Sequence, residues 1–104
     1  MNTFSRLLCL LPLLASAAVA ETYPQRTLIA GSMVCFKAGD WGDMVEASID
    51  QDEDGAERLI SAGKCRTISS STKVSFIETD SSGKSALIQL PSGKTAMTAI
   101  GWLR

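Results

Sequence analysis

The sequence predicts one small α+β domain closed by a single disulfide, in which an N-terminal strand and two short helices lead into a run of antiparallel strands. Three observations carry that expectation. An apolar leader at residues 1–20 holds one of the three cysteines, leaving Cys35 and Cys65 in the remainder. Apolar residues recur at three- and four-residue steps from Trp41 to Ile60, the spacing of helix faces. Beyond Lys73 the period changes to two, with glycine-bearing connectors between the alternating segments.

The leader has a short basic start with Arg6, an apolar stretch at 7–19, and small residues Ala18 and Ala20 flanking Val19 before Glu21, so cleavage is expected after Ala20. Pro12 and Ser16 interrupt the apolar stretch, and spanning a bilayer takes about 20 consecutive apolar residues. No membrane span is therefore expected once the leader is removed, and the protein is expected in the periplasm or outside the cell. Cys9 lies inside the apolar stretch and leaves with it. Subtracting 20 residues from 104 leaves 84, one domain at 21–104. In an oxidising compartment Cys35 and Cys65 have a single connectivity, and their wide separation suits a structural staple better than a redox-active pair.

Each element follows from local pattern. Tyr23-Pro24 belongs to an extended lead-in. Residues 28–36 alternate apolar side chains on both faces (Leu28, Ala30, Val34 and Phe36 against Ile29, Met33 and Cys35), as in one strand covered on both sides. Asp40 is placed to cap a helix starting at Trp41, with Met44, Val45, Ser48 and Ile49 completing its apolar stripe and Asp43 and Glu46 facing outward. A second helix is predicted from an Asp54 cap, with Ala56, Leu59 and Ile60 inward and Gly63 as its left-handed stop. Strands follow at 65–69, 73–80, 85–91 and 95–103. The connectors at 80–84 and 91–94 carry the glycine and serine of tight hairpins, so the last three strands should form an antiparallel meander.

The C-terminal segment, with Val74-Ser75-Phe76-Ile77-Glu78, Ser85-Ala86-Leu87-Ile88-Gln89-Leu90 and Ser92-Gly93-Lys94-Thr95, resembles the core of bacterial SH3-like domains of small exported proteins. The resemblance covers about residues 67–103. It implies a half-open antiparallel β-barrel, with the Cys35–Cys65 region as an N-terminal elaboration, and a cell-wall peptide (peptidoglycan) or other small ligand as candidate partner. Where members place Gly-Trp after the second hairpin's glycine, this chain has Ala96-Met97, and Gly101-Trp102 follows later. Met97 and Trp102 are then the candidate barrel ligand residues.

Charge is divided along the chain. Nine acids accompany Arg26 and Lys37 between Glu21 and Glu57, whereas seven bases accompany Glu78 and Asp80 from Arg58 onward. The balance lacks the basic stripe that nucleic-acid binding requires. Either the two segments pack together and neutralise each other, or they make a dipolar surface that steers a charged partner.

The chain contains no histidine, which removes the commonest general base, the Ser-His and Cys-His pairs and most zinc and copper sites. No Asp or Glu is placed by pattern in an apolar pocket that would raise its pKa, so no enzyme and no cofactor are expected. Asp50, Asp52 and Asp54, followed by Gly55, match the opening of a calcium loop, but the twelfth position is Ser61 where a bidentate glutamate is needed. An acidic connector that favours the next helix N-terminus explains the run better. Met33, Met44 and Met97 fall in different elements and read as gap fillers. The reading is a noncatalytic binding module, of inhibitor or immunity type among other roles. An exported or envelope protein is its expected partner, docked on the acidic face of Asp43, Glu46 and Glu53 with a half-covered Trp41 as anchor.

Overall fold

A computed structural model describes residues 22–104. The leader, its expected cleavage site and Cys9 lie outside the described residues. The chain runs β1 (Gln25–Leu28), β2 (Met33–Cys35), α1 (Ala38–Ile49), α2 (Glu53–Ser61), β3 (Cys65–Thr67), β4 (Thr72–Thr79), β5 (Ser85–Gln89), β6 (Thr95–Ala99) and a 3-10 turn (Ile100–Trp102). The six strands form one antiparallel sheet in the order β1-β4-β5-β6-β2-β3, curled into a half-barrel.

The predicted meander β4-β5-β6 is present, with Gly83 and Gly93 at positive φ in its two hairpins. A register shift between Phe76 and Glu78 marks a bulge in β4, and bulges increase the local twist and bend of a strand. After β6 the chain turns through the 3-10 segment and returns to β1. Thr27 and Arg104 exchange backbone hydrogen bonds at 2.9 and 2.8 Å, and the Ile29 N–H donates to the Trp102 carbonyl at 3.1 Å. The outer edge of β1 is thus covered by the end of the chain. The expected strand at 95–103 accordingly stops at Ala99, and Trp102 lies in the 3-10 turn.

The single strand expected at 28–36 is two strands. The Ser32 N–H and hydroxyl both donate to the Ile29 carbonyl, at 3.3 and 2.6 Å, and Gly31 between them takes a φ of 90°. The alternation of apolar residues continues through the turn, which is why period alone reads it as one element. The break sends β1 to β4 and β2 to β3 and β6.

Both helices begin away from their expected caps. Helix α1 starts at Ala38 after an extended Lys37, without a side-chain cap, and Asp40 sits in its first turn where a carboxylate favours the dipole. Helix α2 is capped by Asp52, not Asp54; the Asp52 carboxylate accepts from the Gly55 N–H at 2.9 Å. Both end in the same hydrogen-bond pattern. The N–H groups of Asp52 and Gln51 return to Ala47 and Ser48, and those of Lys64 and Gly63 return to Leu59 and Ile60. This is the Schellman arrangement, with the predicted Gly63 at φ 76° in α2 and, in α1, Gln51 at φ 56°.

Two buried clusters result. Leu28, Val34, Val74, Ile88 and Leu103 belong to the core inside the half-barrel. Cys35, Cys65, Trp41 and Met44 form a second core between the helices and the β6-β2-β3 side of the sheet. Alternation along β2 explains the split, since Val34 and Cys35 point to opposite faces. The Cys35–Cys65 disulfide joins directly opposed residues of β2 and β3.

Candidate functional site

Helices α1 and α2 enclose an open groove of about 950 Å³. Asp43 and Glu46 reach it from α1, Asp50 from the cap that ends α1, Asp52 from the connector, and Asp54 and Glu57 from α2. Asp43, Glu46 and Asp50 recur at three and four residues, so they form one stripe beside the buried stripe of Trp41, Met44 and Ala47. The sharp reversal at Gln51 then folds the acids of α2 back against that stripe. Against six carboxylates the lining carries two cations, Arg58 and Lys64. Among the described residues none of the six is held in an ion pair, so their fields add within a Debye length of about 8 Å at physiological salt. Such a groove can hold cationic groups. It contains no nucleophile paired with a base.

The sequence-predicted site residues divide between the groove and its surroundings. Asp43 and Glu46 line it, and Asp50, Asp52 and Asp54 join them. Glu53 is exposed in the first turn of α2 but does not line the groove. Among the described residues no group of three or more histidine, cysteine or acidic side chains is arranged to hold a metal ion, and the Asp52 carboxylate is occupied by its capping bond.

Trp41 requires a correction. It is 7% exposed, not half-covered; its indole N–H donates to the Ser85 hydroxyl at 2.8 Å, and its ring meets that of Trp102 edge-on at 6.4 Å. Met33, Met97 and Trp102 pack against the same cluster, so the methionines that are scattered in sequence converge around the disulfide with Met44. Thioethers adapt their shape to rings and sulfur, which suits a core assembled from several elements. Met97 and Trp102 are both half-buried.

The apolar side chains that α1 does present to solvent are Val45 and Ile49, 37% and 75% exposed, which the helical stripe had placed inside. The buried centre of α1 lies at Trp41, Met44 and Ala47, so residues 45 and 49 fall on its outer flank. No known protein family, characterised protein or solved structure matches the chain. No helix among the described residues is long and apolar enough to cross a membrane. The buried disulfide fits an oxidising, non-cytoplasmic location.

Proposed function

We propose that the protein is a noncatalytic binding module of the periplasm or extracellular space, whose acidic groove receives a cationic surface of an exported or envelope protein. One observation carries this reading: six carboxylates from α1, the connector and α2 converge on one groove with two cations among them. Trp41 is buried and Val45 and Ile49 do not line the groove, so the contact rests on charge and not on an apolar anchor. Inhibitor and immunity-type proteins work in this manner, covering a basic site on the target without any chemistry. The curled sheet and its closure by the chain end favour membership of the SH3-like class. A wall ligand held on Met97 and Trp102 is the weaker reading, because both side chains pack against the Trp41 cluster.

The test compares the exported, oxidised protein with a Glu46→Lys, Asp50→Lys variant of unchanged melting temperature. Each is used as bait on an envelope extract from the native source. Recovery of one protein at near-equal amount by the native chain, lost with the reversed charges and at high salt, supports the reading. Equal recovery by both baits overturns it.

A further inference from the structure

The face of the sheet opposite the helices carries a second charged feature of the other sign. Phe36 follows Cys35 and packs toward the half-barrel core, while Cys35 packs toward the helices. Arg66 stands opposite Val34, another barrel-core residue, and so shares that face. The guanidinium of Arg66 lies 5.9 Å from the centroid of the Phe36 ring, and the ammonium of Lys94, from the β5–β6 hairpin, lies 4.9 Å from it. Two like charges thus share one half-buried phenyl ring, and among the described residues neither is held in an ion pair. The ring quadrupole attracts each cation weakly at an exposed site and leaves the outer side of each free for an anion.

The backbone beside this pair is also unfilled. Strand β3 is the last strand of the sheet, and β2 is its sole strand neighbour. The Phe36 N–H donates to the Lys64 carbonyl and the Ile68 N–H to the Ser32 carbonyl. By the two-residue repeat of an antiparallel ladder, Val34 and Arg66 are the pair that exchanges bonds between them. Thr67, opposite Met33, is then a non-hydrogen-bonded residue whose N–H and carbonyl point away from β2. A shallow polar groove continues from this edge, lined by Arg66, Thr67, Ile68, Ser69, Ser70 and Thr72. Its loop is shaped from within, since the Thr72 hydroxyl donates to the Ser70 carbonyl at 2.8 Å. The other outer edge of the sheet, at β1, is already covered by Arg104.

We infer that the free edge of β3 is a docking site for an extended acidic peptide segment of a partner protein, which adds as a further strand and sets its carboxylates against Arg66, within the positive field to which Lys94 contributes. An open ladder supplies backbone donors and acceptors to an extended chain, and the side chains beside it set the preference. Residues of an added strand alternate between faces, so an acid at every second position meets Arg66 directly, while Lys94, whose ammonium stands over Phe36 beyond β3, adds its positive field at longer range. The same acids are repelled by the groove between α1 and α2. The two surfaces therefore select opposite partners on opposite faces of the sheet.

The probe is an acetylated, amidated peptide alternating glutamate and valine, titrated into the exported, oxidised protein, with amide hydrogen exchange followed by NMR. Binding with slowed exchange at the Thr67 amide is expected. Arg66→Glu is expected to weaken it about tenfold or more, because it turns an adjacent attraction into a repulsion, and Lys94→Glu, acting from beyond β3, by a smaller factor that vanishes at high salt. A peptide of the same sequence, N-methylated on the amides that would face β3, separates strand addition from charge alone without altering the protein. It is expected not to bind. Absence of binding by the parent peptide, equal binding of the N-methylated one, or equal binding of a lysine–valine peptide overturns the inference.

Discussion

The indole N–H of Trp41 donates to the hydroxyl of Ser85 at 2.8 Å across 44 residues of sequence, in a buried setting. This bond fixes the first turn of α1 to the start of β5 and so sets where the acidic groove stands relative to the half-barrel. Trp41→Phe retains much of the packing but leaves the Ser85 hydroxyl, on a residue 8% exposed, without its donor. A loss of about 1 to 3 kcal/mol is expected from denaturant unfolding. Trp41→Ala should cost about 3 to 5 kcal/mol. If either variant unfolds at the native midpoint, the bond does not anchor α1.

The disulfide is the second tie between the helices and the sheet. It closes a separation of 30 residues that contains both helices, with Cys35 and Cys65 0% and 2% exposed. The double variant Cys35→Ala, Cys65→Ala should lose about 3 to 4 kcal/mol by loop entropy. The native form should resist mild reductant until the domain opens. Rapid reduction under native conditions would show that the sulfurs are accessible in the folded state.

The reversal at Gln51 places a residue with a Cβ at φ 56°, where glycine is favoured. The left-handed conformation costs an L-residue about 1 to 2 kcal/mol, and glycine loses about 0.5 to 1 kcal/mol of that advantage to the freedom of its unfolded chain. Gln51→Gly is therefore expected to stabilise the domain by about 0.5 to 1 kcal/mol. A lower melting temperature for this variant would be the contrary result.

What the sequence made legible follows from periodicity. Alternation in β4, β5 and β6 and the glycines of their connectors located the meander, and cysteine parity located the disulfide. Four features escaped for physical reasons. Alternation at 28–36 runs unbroken through the Gly31 turn, so the change of strand partner leaves no trace in the pattern. The burial of Trp41 depends on Ser85 and Trp102, both distant in sequence, and no local period reports such contacts. For the same reason Val45 and Ile49 looked buried: a helical stripe shows that a helix has an apolar side, while the sheet beneath decides how much of that side is covered. The acids of the groove were legible as a run. Their convergence required the reversal at Gln51.

Asp52 distinguishes a helix cap from a cation ligand. Its carboxylate accepts from the Gly55 N–H at 2.9 Å, and Asp52→Ala should cost about 1 kcal/mol through the lost cap. That loss should be the same in calcium and in chelator, as a capping role requires. A native melting temperature raised by calcium, with the increment abolished in Asp52→Ala, would instead make the connector a cation site.

Asp80 gives the domain a definable response to acid. Its carboxyl is held below the usual aspartate range, first by the Ser82 hydroxyl donating at 2.6 Å, against a smaller opposing effect of desolvation, with the backbone N–H groups of Ser85, Ser82 and Gly83 adding to the lowering. These donors close the β4–β5 hairpin around the charged form. A pKa depressed by folding means that the unfolded chain takes up the proton first. The contribution of Asp80 is therefore complete above the unfolded value and is lost as pH falls through the lower folded one. Asp80→Asn should remove this dependence, so that native and variant melting temperatures, which differ at neutral pH, converge below about pH 4. A difference that persists unchanged into strong acid would show that the substitution acts through turn geometry and not through the charge.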